Sequence, residues 1–155
     1  MEIGDRAPQF ALADKKNKIH KLSDYAGSWV LIYFYPKDFT PGCTSQACSL
    51  RDSFPNFKSL NIKVLGISTD SVESHRQFSE KYKLPFTILS DSGKKAVNLY
   101  GVWGLKKFLG REFWGTKRTS FLINPEGKIV KIYEGVKPAT HAQEVLKDLQ
   151  EIKTF

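Results

Sequence analysis

Two unbroken apolar runs limit most strongly what this chain can fold into. They are WVLIYFY at residues 29–35 and KVLGIS at residues 63–68. Strands that face solvent on one side alternate apolar and polar residues, whereas strands without that alternation are usually covered on both faces. The segment between the runs has helical spacing at Leu50, Phe54 and Phe57, which Pro55 should kink or end. The runs therefore predict a sheet with helices on both faces.

The flanking segments extend this arrangement. Residues 8–22 predict a β-hairpin, and residues 120–135 predict two strands joined at a Pro-Glu-Gly turn. Further helices are expected at residues 71–82, which Asp70 would cap, at residues 94–100, and from Thr140 along an apolar stripe of Val145, Leu146, Leu149 and Ile152. Phe39 and the aromatic residues between residues 103 and 114 are expected to pack in the core or a loop, with the rim of a substrate site as the alternative. We predict one α/β domain over residues 1–155, with a mixed central sheet and an N-terminal β-hairpin.

Composition excludes several classes of protein. The 24 basic and 16 acidic residues give a net charge of +8, but no five-residue basic block or nucleic-acid-binding motif is present. The longest apolar run has seven residues, far fewer than the roughly 20 that span a bilayer. The N-terminus lacks the basic and apolar regions of a secretion signal. We therefore expect a cytoplasmic protein with neither a nucleic acid nor a membrane as its partner.

The chemistry is concentrated in PKDFTPGCTSQACSLRD, at residues 36–52. Threonine is a preferred N-cap and proline suits the first helical position, so Thr40 and Pro41 predict the start of a helix. Cys43 is then the third helical residue, in the turn where free N–H groups and the helix dipole favour an anion. A thiolate is such an anion and is the nucleophilic form of cysteine. We expect Cys43 to be a nucleophile at an exposed helix start, with an inert core position as the alternative.

Neighbouring residues could complete a nucleophilic site. Thr40 places a hydroxyl three residues before Cys43, although it could serve only as the N-cap. Pro36 could shield the site from water. A cation would stabilise the negative charge, and from the sequence alone Lys37, Arg51 and Arg118 are all candidates.

The second cysteine, Cys48, follows five residues after Cys43. In an intact helix this spacing separates the two Cα atoms by about 8.6 Å, whereas a disulfide needs them within about 7 Å. A bond between the two sulfurs would therefore require the helix to unwind. Cys48 could instead be a small buried apolar residue. Because His20, His75 and His141 are scattered along the chain, we expect no zinc site.

These motifs resemble those of peroxiredoxins, and specifically the bacterioferritin-comigratory-protein (Q-type) branch. The family motif P-x-x-x-T-x-x-C matches Pro36, Thr40 and Cys43. The C-x-x-x-x-C spacing of the branch matches Cys43 and Cys48, and R-x-S-F-L-I matches residues 118–123. The resemblance covers essentially the whole chain.

The resemblance implies a thioredoxin-like fold and the reduction of hydrogen peroxide and organic hydroperoxides, without a metal or an organic cofactor. It implies that Cys43 becomes a sulfenic acid, that Cys48 condenses with it, and that thioredoxin or a similar dithiol protein reduces the disulfide. It also implies that Arg118 is the cation beside the thiolate. Many members are monomers, and a monomer is expected here. The alternatives are a dithiol–disulfide oxidoreductase, for which C-x-x-C would be expected, and a non-enzymatic holdase or nucleic-acid-binding role.

Overall fold

The computed structural model describes residues 1–153 of the chain. In that range the strands are β1 (Ala11–Ala13), β2 (Ile19–Lys21), β3 (Trp29–Phe34), β4 (Ile62–Ser68), β5 (Thr87–Ser90), β6 (Trp103–Phe108), β7 (Arg111–Thr116), β8 (Thr119–Ile123) and β9 (Ile129–Glu134). The α-helices are α1 (Pro41–Asp52), α2 (Phe54–Ser59), α3 (Val72–Tyr82), α4 (Lys95–Leu99) and α5 (His141–Lys153), and a 3₁₀ helix spans Leu22–Tyr25. None of these helices has the length and apolar character needed to cross a membrane.

Seven strands form one sheet in the order β2-β1-β5-β4-β3-β8-β9. The central strands β3, β4 and β5 are parallel, whereas β8 pairs antiparallel with β3, and β9 pairs antiparallel with β8. The N-terminal hairpin of β1 and β2 joins the opposite edge through an antiparallel pairing with β5. The predicted mixed sheet with an N-terminal β-hairpin is therefore confirmed.

Strand β3 supplies both faces of the sheet with apolar side chains. Alternate residues of β3, with Tyr35 directly after it, enter two separate cores, Leu31, Tyr33 and Tyr35 on one face and Val30, Ile32 and Phe34 on the other. Helices α1, α2, α3 and α5 cover the first face, and α4 with the 3₁₀ helix covers the second. A fully buried side chain of this size stabilises the fold by about 1.5–3 kcal/mol. The unbroken apolar run of β3 follows from this burial on both sides.

One predicted helix break is confirmed, and one predicted helix cap needs correction. The helical segment after β3 breaks at Ser53, so that Pro55 lies in the first turn of α2, where a missing N–H has no cost. Helix α3 is capped by Ser71, whose hydroxyl accepts a hydrogen bond from the Ser74 amide at 3.1 Å, and the expectation that Asp70 caps it was wrong.

Residues 103–116 form a feature that the sequence analysis missed. Strands β6 and β7 pair as a separate two-stranded antiparallel sheet. Leu109 and Gly110 connect them with φ angles of 52° and 76°, the left-handed conformation of a tight hairpin turn. The expectation that the aromatic residues here pack in the core or a loop was wrong for Phe108 and Trp114, which lie in strands and are 66% and 64% exposed.

Candidate active site

The candidate site lies where the central strand β3 passes into α1. Thr40 occupies the N-cap position with an extended backbone (φ −74°, ψ 151°), and Pro41 is the first helical residue. Cys43 is therefore the third residue of the helix, as the sequence predicted. Its sulfur lies in the first turn, where unpaired backbone N–H groups and the helix dipole stabilise negative charge.

A cation contacts this sulfur directly. The Arg118 guanidinium donates a hydrogen bond from Nη2 to the Cys43 Sγ at 3.3 Å. Arg118 comes immediately before β8, whose first residue Thr119 lies opposite Phe34, the last residue of β3. This antiparallel register brings Arg118 beside the start of α1. Of the three candidate cations, the structure places Arg118 at the sulfur.

The other two candidate cations lie elsewhere. Arg51 donates from Nη1 to the Tyr82 carbonyl at 2.8 Å and from Nε to the Asp52 carboxylate at 3.0 Å. Lys37 is exposed in the loop before α1. Neither arrangement directs a positive charge at Cys43.

Two residues that were not predicted as site residues, Gln46 and Gly42, determine where the Arg118 guanidinium lies. Its Nη1 donates to the Gln46 Oε1 at 2.7 Å, so one guanidinium bridges the thiol and the amide. A Cβ atom at Gly42 would lie only 3.0 Å from the Arg118 Nη2, so glycine leaves room for the guanidinium. Gln46 follows Cys43 by three residues, and this spacing, which places both on one helix face, was the available signal.

The degree of burial at the site differs from the expectation. Cys43 is 1% exposed, and the expected exposed helix start was wrong. It belongs to the core that contains Tyr33 and Ala47. Burial, and then the electrostatic interaction with Cys43, raise the pKa of Tyr33 well above its usual value, so this phenol stays neutral. Burial, and then the charge of Arg118, lower the pKa of Lys106.

Thr40 and Pro36 lie on the loop that leads into α1. The Thr40 hydroxyl donates to the Lys37 carbonyl at 2.8 Å and makes no capping hydrogen bond to the helix. It therefore keeps lone pairs that can accept a further hydrogen bond. Pro36 is half-buried and separated from β3 by Tyr35.

Cys48 lies on the same helix as Cys43, as the sequence predicted, and it is half-buried rather than buried. Both thiols are free. A regular helix separates their Cα atoms by about 8.6 Å, beyond the reach of a disulfide. The arrangement therefore represents a reduced dithiol in which the two sulfurs cannot yet bond.

Comparison of the chain with known proteins identifies its family. A family model described as the AhpC/TSA family matches residues 3–132. Peroxiredoxin Bcp of Bacillus subtilis (strain 168) is 43% identical over 152 residues, which cover 98% of this chain and 97% of that protein. Peroxiredoxin Bcp of Escherichia coli (strain K12) is 45% identical over 151 residues, which cover 97% of each protein.

Solved structures agree with these relatives. A mutant of PrxQ from Xylella fastidiosa superposes with a TM-score of 0.92 at 35% identity, over 98% of this chain and 97% of that one. The bacterioferritin comigratory protein of Xanthomonas campestris gives a TM-score of 0.87 at 36% identity, over 92% and 91% of the two chains. The thioredoxin-like fold implied by the sequence motifs is confirmed. The chain therefore belongs to the AhpC/TSA family, among the peroxiredoxins of the Bcp and PrxQ type.

Proposed function

We propose that Cys43 is the nucleophile with which this peroxiredoxin reduces hydroperoxides. As a member of its family, the chain is a peroxidase that uses a peroxide and a thiol reductant. The observation that carries the assignment to Cys43 is its hydrogen bond from Arg118 at 3.3 Å, made in the first turn of α1. A cation and a helix N-terminus together favour the thiolate, which is the reactive form of cysteine.

In the first step the Cys43 thiolate attacks one peroxide oxygen. The S–O bond forms as the O–O bond breaks, and the departing oxygen takes a proton to leave as water or an alcohol. Arg118 can stabilise the charge that moves from sulfur to the departing oxygen. The Thr40 hydroxyl can accept a hydrogen bond from the peroxide, and Pro36 shields the sulfur from water. The product on the enzyme is a Cys43 sulfenic acid.

In the second step the Cys48 sulfur attacks the sulfenic sulfur, an S–S bond forms, and the hydroxyl leaves with a proton as water. An external dithiol then supplies two electrons and two protons to restore both thiols. We assign this role to thioredoxin or a similar dithiol protein, in a reducing compartment such as the cytoplasm. Because the cycle needs only residues of this chain, we propose a monomeric single-domain enzyme.

The substrates that we propose are hydrogen peroxide and organic hydroperoxides. The Xanthomonas campestris relative has an alkyl peroxide reduction activity, which supports the organic class. The competing dithiol–disulfide oxidoreductase is not favoured, because its two-residue spacer between cysteines is replaced by a four-residue spacer between Cys43 and Cys48.

Cys48→Ser tests the two-cysteine cycle. This variant is expected to consume about one equivalent of peroxide per chain and then stop, because its sulfenic acid has no resolving thiol. The measurement is peroxide consumption, first without a reductant and then with a thioredoxin system, beside wild type. Sustained wild-type turnover in this variant would show that a different thiol resolves the sulfenic acid.

Arg118→Lys tests the contact at the sulfur. Lysine keeps the charge but cannot bridge the Cys43 sulfur and the Gln46 amide as the planar guanidinium does. We expect the rate constant of Cys43 oxidation, measured by stopped-flow fluorescence, to fall on the order of 10- to 100-fold. Lys117→Ala, which removes the adjacent exposed cation, should stay within about twofold of wild type. Equal losses in both variants would mean that general charge, and not the contact, governs the reaction.

A further inference from the structure

A buried polar cluster lies behind the loop that carries Pro36 and Thr40. Its centre is Asp38, which is 3% exposed although it lies in a loop. The Asp38 Oδ1 accepts a hydrogen bond from the Tyr35 hydroxyl at 2.6 Å, and its Oδ2 accepts one from the Ser74 hydroxyl at 2.8 Å. A carboxyl group buried in this way is stable only when its oxygens are paired.

His75 of α3 completes the pairing of Asp38. Its Nδ1 lies 2.6 Å from the Asp38 Oδ2, and its Nε2 lies 3.0 Å from the Leu89 carbonyl oxygen of β5. A carbonyl oxygen can only accept, so Nε2 carries a proton. One further proton must lie between Nδ1 and Oδ2, and the pair is neutral overall whichever atom holds it. The fully buried imidazole thus links the loop to the centre of the sheet.

The backbone of Asp38 is held as well. Its amide donates to the Asp70 Oδ2 at 2.8 Å, and the same oxygen accepts a hydrogen bond from the Ser68 hydroxyl at 2.6 Å. Asp70 therefore tethers the loop to the end of β4. Atoms of Asp38, Asp70 and His75 that could bind a metal lie within 4.8 Å of one another, but these hydrogen bonds already engage all three side chains.

The residue after Asp38 is strained. Phe39 has a φ of +67°, in the left-handed region that an aromatic residue seldom adopts. Its ring packs edge-on against Phe78 of α3, with centroids 5.1 Å apart. Such a conformation persists only where the surrounding structure determines it from several sides. Here the anchored Asp38 precedes it and the N-cap residue Thr40 follows it.

We propose that Asp38 and His75 are positioning residues for the peroxide reaction. The pair holds Phe39 in its left-handed conformation and so fixes Thr40 and the first turn of α1 relative to Arg118. This inference rests on the proposed role of Cys43 as the nucleophile. Misplacing a reacting group by about 1 Å can slow a reaction about a hundredfold. Because both residues lie outside α1, they also provide a fixed point to which the helix returns after unwinding.

Asp38→Ala and Asp38→Asn separate positioning from charge. In Asp38→Asn, the amide oxygen can still accept from Tyr35, and the amide nitrogen can donate to the Nδ1 of a neutral His75 and to the Ser74 hydroxyl. We expect the rate constant of Cys43 oxidation by hydrogen peroxide to fall at least about tenfold in Asp38→Ala and to stay within about threefold of wild type in Asp38→Asn. An Asp38→Asn variant as slow as Asp38→Ala would overturn the proposal.

Asp91→Ala controls for general loss of stability. The Asp91 carboxylate accepts hydrogen bonds from the amides of Lys95, Ala96 and Val97 at the start of α4, on the opposite face of the sheet. Its removal should lower the unfolding temperature while the peroxide rate of the folded fraction stays within about twofold of wild type. A fall equal to that of Asp38→Ala would show that stability alone sets the rate, and the positioning role would be wrong.

Tyr35→Phe keeps the ring in the core and removes the hydroxyl, which donates to the Asp38 Oδ1 at 2.6 Å and lies 3.4 Å from the His75 Nδ1. Its peroxide rate constant should fall at least about threefold, and an unchanged rate would contradict the proposal.

The wild-type reaction separates a failure of the proposed function from a failure of the positioning role. If wild-type Cys43 does not react with peroxide, the proposed function fails, whereas a reactive wild type with an equally reactive Asp38→Ala variant refutes only the positioning role.

Discussion

Cys43→Ser is expected to abolish peroxide turnover. A serine hydroxyl is not ionised near neutral pH, so neither Arg118 nor the N-terminus of α1 has an anion to stabilise, and no nucleophile remains. Arg118 keeps its second hydrogen bond, to the Gln46 Oε1 at 2.7 Å, so the guanidinium should remain in place. The loss would then report on the chemistry of the sulfur. Turnover is measured as peroxide-dependent oxidation of a thioredoxin system.

The matched control for this experiment is Cys48→Ser, which makes the same chemical change five residues further along the same helix. It should still consume about one equivalent of peroxide, whereas Cys43→Ser should consume none. Circular dichroism would confirm that both variants are folded. Activity of Cys43→Ser above a few per cent of wild type would place the nucleophile at another residue.

Much of the fold could be predicted because its central strands have a simple physical signal. Residues 30–35 are buried on both faces of the sheet, and a run with no polar alternation is the direct result of that burial. The start of α1 was equally predictable, since Thr40 and Pro41 act through local backbone geometry. Features decided by neighbouring residues were therefore visible in the sequence.

Contacts between distant segments were not visible in the same way. Arg118 reaches Cys43 across 75 residues, through the antiparallel register of β8 on β3. Spacing along the chain cannot encode that register, so residue-level reasoning left three cations open and only the family resemblance favoured Arg118. No partner was predicted for His75 for the same reason, because 37 residues separate it from Asp38.

The β6–β7 hairpin was missed because its residues contradict the usual signals. A tight turn of this kind favours asparagine or glycine at both central positions, but here Leu109 occupies the first of them. Its aromatic residues suggested packing in the core or a loop, yet Phe108 and Trp114 lie in strands and are mostly exposed. The two strands are held by their pairing with each other, from Trp103 opposite Thr116 to Phe108 opposite Arg111.

Oxidation to the disulfide is expected to melt the first part of α1. Cys43 and Cys48 share this regular helix, and their Cα separation of about 8.6 Å exceeds the reach of a disulfide. A bond between them therefore requires residues 41–48 to leave the helical conformation. Formation of the disulfide and local unfolding become one event.

The structure makes this unfolding inexpensive. The side chains that residues 41–48 place in the apolar core are the small ones of Cys43 and Ala47, whereas the fully buried Leu50 lies beyond the segment and can retain its packing. Within residues 1–153, the buried Gln46 Nε2 has no hydrogen-bond partner. Such a group costs about 1–3 kcal/mol until it is hydrated, so its hydration on unwinding offsets the loss of the hydrogen bond between Arg118 and the Gln46 Oε1. Glycine, threonine and serine at positions 42, 44 and 45 are also poor helix formers.

Amide hydrogen exchange on the reduced and oxidised forms measures this directly. The first amide with a helical partner in α1 is that of Thr44, which donates to the Thr40 carbonyl at 2.9 Å. Exchange at amides 44–48 should accelerate at least about a hundredfold on oxidation, while amides 145–149 of α5 should change less than about threefold. Equal protection of amides 44–48 in both forms, with the disulfide confirmed by mass, would contradict the mechanism. That result would show that the two cysteines do not share a regular helix in the reduced protein.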